Sequence, residues 1–192
     1  MGAARLARMK LDVRHGVVLT VLMLIWVGLG SIALSGLIAA GMSALLGPAF
    51  VAGDLPGVTY TAERCADLQE YAPTATTCAQ AAAVHHADEV VTYRLATGIV
   101  ALPFFVGWWL ARRRWPSARV PATLAPSAGA ASFGVVGLAL SALALNAIAL
   151  GSDTGAGGYL SAAIVSLPVA GFFAYRLYRE LVDWPANGTS AA

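Results

Sequence analysis

The sequence predicts an all-α integral membrane protein, a bundle of four transmembrane helices whose first extracytoplasmic loop is stapled by a disulfide. Hydrophobic residues make up 58% of its 192 residues, charged residues make up 11%, and the mean hydropathy is +0.71. Soluble domains usually carry about a quarter charged residues, so this chain has too few charges to cover a soluble globule. Four long stretches contain no Asp, Glu, Lys or Arg, and both cysteines lie between the first two stretches.

The same composition disfavours two other classes of protein. Intrinsic disorder requires few apolar residues and much charge, which is the opposite of this chain. A formal net charge of +2 is too small for the phosphate contacts of a nucleic-acid-binding protein. The expected partners are therefore the lipid bilayer and other membrane protein subunits or further copies of the chain, with no nucleic acid. The abundance of alanine and glycine suggests a bacterium with a GC-rich genome.

The first two spans follow from the charge-free stretches, since crossing a bilayer takes about 20 apolar residues. The first span, 16–46, ends at Gly47-Pro48, because proline cannot continue a helix. A basic arm before an apolar run also fits a secretory signal, but this run is too long for a signal core and we expect it to be retained. The second span, 88–111, follows an Ala-rich segment without Gly or Pro. Its helix is therefore expected to begin outside the membrane, near Thr77.

The third and fourth spans follow the same rule. The third, 128–150, is expected to start after Pro121 and Pro126, which hold the preceding connection open. The fourth covers 156–178. Arg94 lies near the outer end of the second span, and we expect its charged group to extend to the membrane surface.

The basic residues predict the orientation, because Lys and Arg concentrate on the cytoplasmic side of membrane proteins. Ten of the 12 lie at one end of the predicted spans, namely Arg5, Arg8, Lys10, Arg14, Arg112, Arg113, Arg114, Arg119, Arg176 and Arg179. Both termini are therefore expected in the cytoplasm of a multi-pass protein of the cell membrane. This divides the chain into a cytoplasmic arm (1–15), a transmembrane domain (16–178) with a large outer loop (48–87) and a small one (151–155), and a cytoplasmic tail (179–192).

The large outer loop holds both cysteines of the chain, Cys65 and Cys78. An extracytoplasmic compartment permits their oxidation, and closing such a loop contributes about 3 kcal/mol by the chain-entropy estimate. A structural disulfide is favoured over redox chemistry, whose cysteines are normally close together as in C-x-x-C. Residues 62–71 predict a short amphipathic helix, with Thr61 as its N-cap and Pro73 just beyond its end. The disulfide would tie this helix to the start of the second transmembrane helix.

His85 and His86 form a candidate metal site with Glu89, because helical spacing places both histidines beside this carboxylate. A zinc site generally needs three or four protein ligands. The spacing fixes only a histidine together with Glu89, and Asp67 or Glu70 would have to move in as a third ligand. A polar helix end at the membrane surface is therefore the favoured interpretation. A metal site and a pH-sensitive histidine contact are the alternatives. No cofactor is predicted.

Small residues recur at four-residue spacing in three of the spans, and such stripes let helix backbones approach closely in lipid. Packing within the chain is the favoured interpretation, and a docking surface for a partner subunit is the alternative. The candidate packing residues are Gly36 and Ala40 in the first span, Gly137 and Ser141 in the third, and Gly158, Ala162, Ser166 and Ala170 in the fourth.

Function is indicated mainly by exclusion. No ionisable residue lies deep in a predicted span, whereas ion-coupled transporters usually keep one there. The sequence contains no P-loop, dinucleotide fingerprint or metalloprotease helix. We therefore expect a non-catalytic accessory or scaffold subunit of a membrane complex, which presents its stapled outer loop. The alternatives are a small oligomeric channel or transporter, and a membrane metalloenzyme that uses the histidine region.

The layout of four helices, both ends inside and a larger first outer loop with a cysteine pair is topologically similar to that of claudin-like proteins. The tryptophan and the Gly-Leu-Trp pattern typical of those proteins are absent, since the outer loop contains no tryptophan. The similarity is therefore one of layout, and the chain is assigned to no family on this basis.

Overall fold

The structure is a computed structural model that describes the backbone of residues 2–53, 60–116, 124–150 and 155–188, with side chains from Val13 to Val182 within these ranges. Its helices are α1 (Gly2–Leu46), α2 (Pro48–Ala52), α3 (Ala62–Tyr71), α4 (Cys78–Arg114), α5 (Leu124–Leu150) and α6 (Ala156–Gly188), and the described residues form no strand. Four of these helices, α1, α4, α5 and α6, are long and apolar enough to cross a membrane. The chain is therefore all-helical with four candidate spans, which indicates a multi-pass membrane protein.

Two helix ends show how proline and glycine divide the chain. Gly47 has φ 94°, in the left-handed region that favours glycine, so α1 ends at Leu46 and Pro48 opens α2. The expectation that the third span starts after Pro126 is wrong, because α5 begins at Leu124. Proline fits the first turn of a helix, where the N–H groups have no intrahelical partner.

The four long helices lie in the order α4–α1–α6–α5. Helix α4 packs on α1, α1 packs on α6 and α6 packs on α5, whereas α1 and α5 touch little. Within the described residues, α4 does not pack along α5 or α6. The α1–α4 pair is antiparallel, with His15 stacked on Trp115 at one end and Gly36 against Arg94 towards the other. The α5–α6 pair is antiparallel too, so the protein consists of two helical hairpins joined along α1 and α6.

The two ends of this row differ in charge and in structure. One end, here named the basic end, carries the arginines Arg14, Arg112, Arg113, Arg114, Arg176 and Arg179. The side chains of Arg5, Arg8, Lys10 and Arg119 lie outside the described part of the chain. The opposite end, here named the loop end, carries α2, α3 and the start of α6. Residues 151–154 of the predicted small loop also lie outside the described ranges.

Helix α4 extends well beyond α6 at the loop end. Arg94 contacts Gly158, which is in the first turn of α6. The 16 residues of α4 that precede Arg94 therefore project about 24 Å past that level, at 1.5 Å per residue. This projecting segment supports α2 and α3, which both pack on α4.

Candidate functional site

The projecting part of α4 and helix α3 form a small unit, here named the α3–α4 module (Ala62–Glu89). Each of its helices starts at a threonine N-cap: the Thr61 hydroxyl accepts from the Arg64 N–H at 3.3 Å, and the Thr77 hydroxyl accepts from the Gln80 N–H at 3.2 Å. Such caps satisfy N–H groups that have no partner in the helix. The predicted helix over 62–71 and the start of the long helix near Thr77 are both confirmed.

A disulfide and a small apolar core hold the two helices of the module together. Cys65 and Cys78 are bonded, with their Cα atoms 5.4 Å apart, which confirms the predicted disulfide. Leu68, Ala72 and Ala81 form the buried core next to it. On another side of α4, Ala83 and Ala87 are also buried. The module is therefore braced internally and is continuous with a transmembrane helix.

Tyr71 provides a third link between α3 and α4. Its hydroxyl donates to Asp88 Oδ2 at 2.9 Å, and its ring lies edge-on to the ring of His85 at 4.9 Å between centroids. The hydrogen bond to Asp88 raises the pKa of the Tyr71 hydroxyl above its usual value, because the bond is lost when the phenol ionises. This contact joins the last residue of α3 to a position 17 residues further along the chain.

The exposed surface of the module is acidic. Five carboxylates lie on it, against one exposed arginine, Arg64; the carboxylates belong to Glu63, Asp67, Glu70, Asp88 and Glu89. The module thus presents a negative surface on a rigid support.

His85 and His86 both face Glu89, as helical spacing requires. His86 Nδ1 lies 3.3 Å and His85 Nδ1 lies 3.7 Å from the same Glu89 oxygen. Among the residues that the structure describes, no group of three or more His, Cys, Asp or Glu side chains is placed to hold a metal ion. The metal site at these three residues stays a prediction.

Three of the candidate packing glycines lie where helices approach closely. A Cβ on Gly36 would lie 2.9 Å from Arg94 Cβ on α4, and one on Gly137 would lie 2.8 Å from Leu167 Cδ2 on α6. A Cβ on Gly158 would lie 2.7 Å from the carbonyl oxygen of Val51 in α2. These glycines therefore allow contacts within the chain itself.

The other candidate packing residues have several surroundings. Ala170 is buried, with its Cβ 3.9 Å from where a Cβ on Gly134 would lie. Ala40 is half-buried, and the Ser141 hydroxyl donates to the Gly137 carbonyl at 2.8 Å. Ala162 and Ser166 line a groove of about 460 Å³ between α1, α5 and α6. The α6 stripe thus faces three different neighbours: α2, a groove and α5.

Arg94 links the two helical hairpins. It donates to the Ser161 hydroxyl at 2.8 Å and to the Gly158 carbonyl at 3.1 Å, both on α6. The side chain is half-buried, and its guanidinium binds the start of the neighbouring helix α6. Within the described part of the chain, no carboxylate lies within ion-pair distance of Arg94.

Sequence reasoning missed two of these contacts. The partner of Arg94 was not predicted, although an arginine at the edge of an apolar span is a signal that a polar partner is needed. The bond between Tyr71 and Asp88 has no comparable signal, since it depends on how α3 folds back on α4. Comparison with known proteins adds no assignment: no family model, no curated protein and no solved structure matches the chain.

Proposed function

We propose that the chain is a non-catalytic accessory or scaffold subunit of a complex in the cell membrane, and that the α3–α4 module is the part that binds its partner. The single observation that carries this proposal is the bracing of the module by a disulfide, an apolar core and the Tyr71–Asp88 hydrogen bond. A surface that is rigid before binding loses little conformational entropy when a partner docks. A flexible loop of the same length would bind less tightly.

The charge of the module indicates the chemistry of the partner. Five exposed carboxylates against one arginine favour a protein with a basic surface, because complementary charge speeds association and fixes the register of docking. The proposed partner is therefore a second membrane or extracytoplasmic protein that presents Lys or Arg to the module.

The proposal requires the module to lie outside the cell and the basic end to face the cytoplasm. The described arginines of the basic end support this orientation through the positive-inside rule. A reporter that is active only in the cytoplasm, fused after Ala192, should be active. A reporter at that position that is active only outside the cell would contradict the orientation.

The partner is testable by site-specific photo-crosslinking of the full chain in the membranes of the cells that make it. A photoreactive amino acid at exposed Glu70 should produce one heavier band that contains a different polypeptide. The matched control is the same amino acid at Leu138 of α5, which is 66% exposed and is expected to face lipid. We expect no specific band from this control.

Charge variants of the module sharpen this experiment. Replacing Glu63, Asp67 and Glu70 by their amides should reduce the yield of the cross-linked or co-purified partner at least about tenfold at low salt. Arg64→Gln, on the same helix, should leave the yield unchanged or raise it.

The proposal also requires Cys65 and Cys78 to be bonded to each other in the membrane protein. Alkylation without reductant, followed by intact-mass measurement, should therefore label neither cysteine.

Two results would contradict the subunit proposal. A symmetric assembly of this chain alone in mild detergent would favour the oligomeric channel or transporter instead. A partner yield that is equal in the amide variant and the wild type would show that the module does not recognise the partner.

A further inference from the structure

A cavity of about 530 Å³ opens at the basic end, and side chains from all four long helices line it. This volume falls within the range of about 300–1,000 Å³ that is typical of small-molecule sites. The cavity is remote from the α3–α4 module, and no step of the proposed function uses it. Its lining includes Leu19 and Met23 of α1, Trp108 of α4, Pro126 of α5 and Phe172 and Phe173 of α6.

The inner wall of this cavity is apolar and closely packed. Leu19 is 2% exposed and Phe173 is 5% exposed. The hydroxyl of Thr20, the polar group on this wall, is already bonded to the Gly16 carbonyl at 3.0 Å. The wall therefore suits hydrocarbon, and its Thr20 hydroxyl has no proton left to donate to a phosphate oxygen.

The rim of the cavity is cationic. Arg112 reaches it from α4 and Arg176 reaches it from α6. Glu180 also lines the cavity, but within the described residues no ion pair joins it to either arginine. Two guanidinium groups from different helices thus face one space, and neither is paired with a carboxylate among the described side chains. Guanidinium is the side-chain group best suited to bind the oxygens of a phosphate through paired hydrogen bonds.

A third feature of the rim also favours an anion. Ala125 and Pro126, in the first turn of α5, line the cavity, and the N-terminus of a helix carries a partial positive charge. The described side chains of the basic end add up to six arginines and one glutamate. An anion in the cavity would therefore lie in a positive field from several sides.

We infer that this cavity binds the headgroup end of an anionic glycerophospholipid, with its phosphate between Arg112 and Arg176 and the first part of its acyl chains along the apolar wall of Leu19, Met23 and Phe172. A basic pocket between transmembrane helices is a known way for proteins to hold acidic headgroups. The apolar wall selects a lipid over free phosphate, since a small anion would leave that wall in contact with water. The two arginines select an anionic lipid over a zwitterionic one.

The inference is tested by native mass spectrometry of the full chain in mild detergent, titrated separately with phosphatidylglycerol, phosphatidylcholine and inorganic phosphate. We expect a single phosphatidylglycerol adduct at concentrations at least tenfold below those needed for phosphatidylcholine, and no adduct with inorganic phosphate. The double variant Arg112→Gln/Arg176→Gln should weaken phosphatidylglycerol binding at least tenfold. Glu180→Gln should strengthen it, because it removes a negative charge from the rim.

The matched control is Arg113→Gln/Arg114→Gln, which removes the same number of positive charges from the basic end but changes no residue that lines the cavity. Arg113 instead lies over the ring of Trp109, at 3.6 Å from its centroid. The control should change phosphatidylglycerol binding less than about twofold. Equal loss in both double variants would show binding to surface charge in general and would overturn the inference. Equal binding of phosphatidylcholine, or binding of inorganic phosphate alone, would overturn it too. Resistance to unfolding by dodecyl sulfate equal to that of the wild type in each variant shows that the chain is folded.

Discussion

Gly36 sets the distance between the first two spans, and Gly36→Ala tests this directly. A Cβ at this position would lie 2.9 Å from Arg94 Cβ, 3.3 Å from the Leu95 backbone nitrogen and 3.4 Å from the Val91 carbonyl oxygen. Carbon atoms in favourable contact are about 3.5–4.0 Å apart. All three neighbours belong to the backbone or to the base of a side chain, so none can rotate away. Helix α4 would have to move by about 0.6 Å, which is the difference between 2.9 Å and the lower end of that contact range.

The expected cost can be separated from the effect of alanine on the helix itself. Overpacking in a well-packed interior costs about 1–3 kcal/mol, whereas alanine is about 1 kcal/mol more favourable than glycine inside a helix. Gly41→Ala supplies the control, since it makes the same substitution in α1 and a Cβ there would meet nothing within 4 Å. The propensity terms cancel between the two variants. We therefore expect Gly36→Ala to be less stable than Gly41→Ala by about 1–3 kcal/mol.

Stability is measured by unfolding the full chain from mild detergent with increasing dodecyl sulfate, followed by circular dichroism. Native mass spectrometry beforehand shows whether both variants carry the same bound lipid. The reasoning is refuted if Gly36→Ala is as stable as Gly41→Ala, because α1 and α4 would then not be in close contact at this position.

Two further predictions concern polar links. Ser161→Ala should destabilise the chain by about 1–2 kcal/mol, in the lower part of the usual range because Arg94 is only half-buried and keeps its second acceptor, the Gly158 carbonyl. Among the described residues, the Ser166 hydroxyl bonds to the Ala162 carbonyl of its own helix, so Ser166→Ala should change stability by less than about 0.5 kcal/mol. Equal destabilisation by Ser161→Ala and Ser166→Ala would contradict the link between Arg94 and α6. Tyr71 should ionise at a higher pH than free tyrosine, so its bond to Asp88 stabilises the module below the ordinary pKa of about 10 and is lost as pH rises through the raised pKa. Spectroscopic titration checks this: Tyr71→Phe should remove the late-ionising phenol, Asp88→Asn should shift it to lower pH, and an unshifted phenol in Asp88→Asn would count against the bond.

The parts of the fold that follow from local signals were predictable. Helix α3 begins directly after Thr61 and ends before Pro73, and α4 begins directly after Thr77. These limits agree with the capping role of threonine and the helix-ending role of proline. The only two cysteines lie on the same loop, so their pairing required no knowledge of the fold. The start of α5 was predicted wrongly from Pro126, because proline can end a helix but can also lie in its first turn.

The order of the long helices was not predictable from the sequence. In water, an apolar stripe shows which face of a helix is buried. In lipid, the surroundings are as apolar as the interior, so the spans show no such stripe. The spacing of Gly36 and Gly137 marked faces that pack closely, but it did not indicate which helix each face would meet. The contact between Arg94 and Ser161 depends on that order and was missed for the same reason.

The order α4–α1–α6–α5 also has a consequence for the synthesis of the chain. Helix α5 is made before α6, yet it has few contacts with α1 and does not pack along α4 within the described residues. Until α6 is made, α5 therefore lacks the neighbour with which it makes most of its described contacts, and α1 exposes the face that α6 will cover. A ribosome that stalled after α5 would leave an unassembled helix in the bilayer, which is the kind of intermediate that membrane proteases degrade. The synthesis of α6 thus determines when α5 can pack against the rest of the helices.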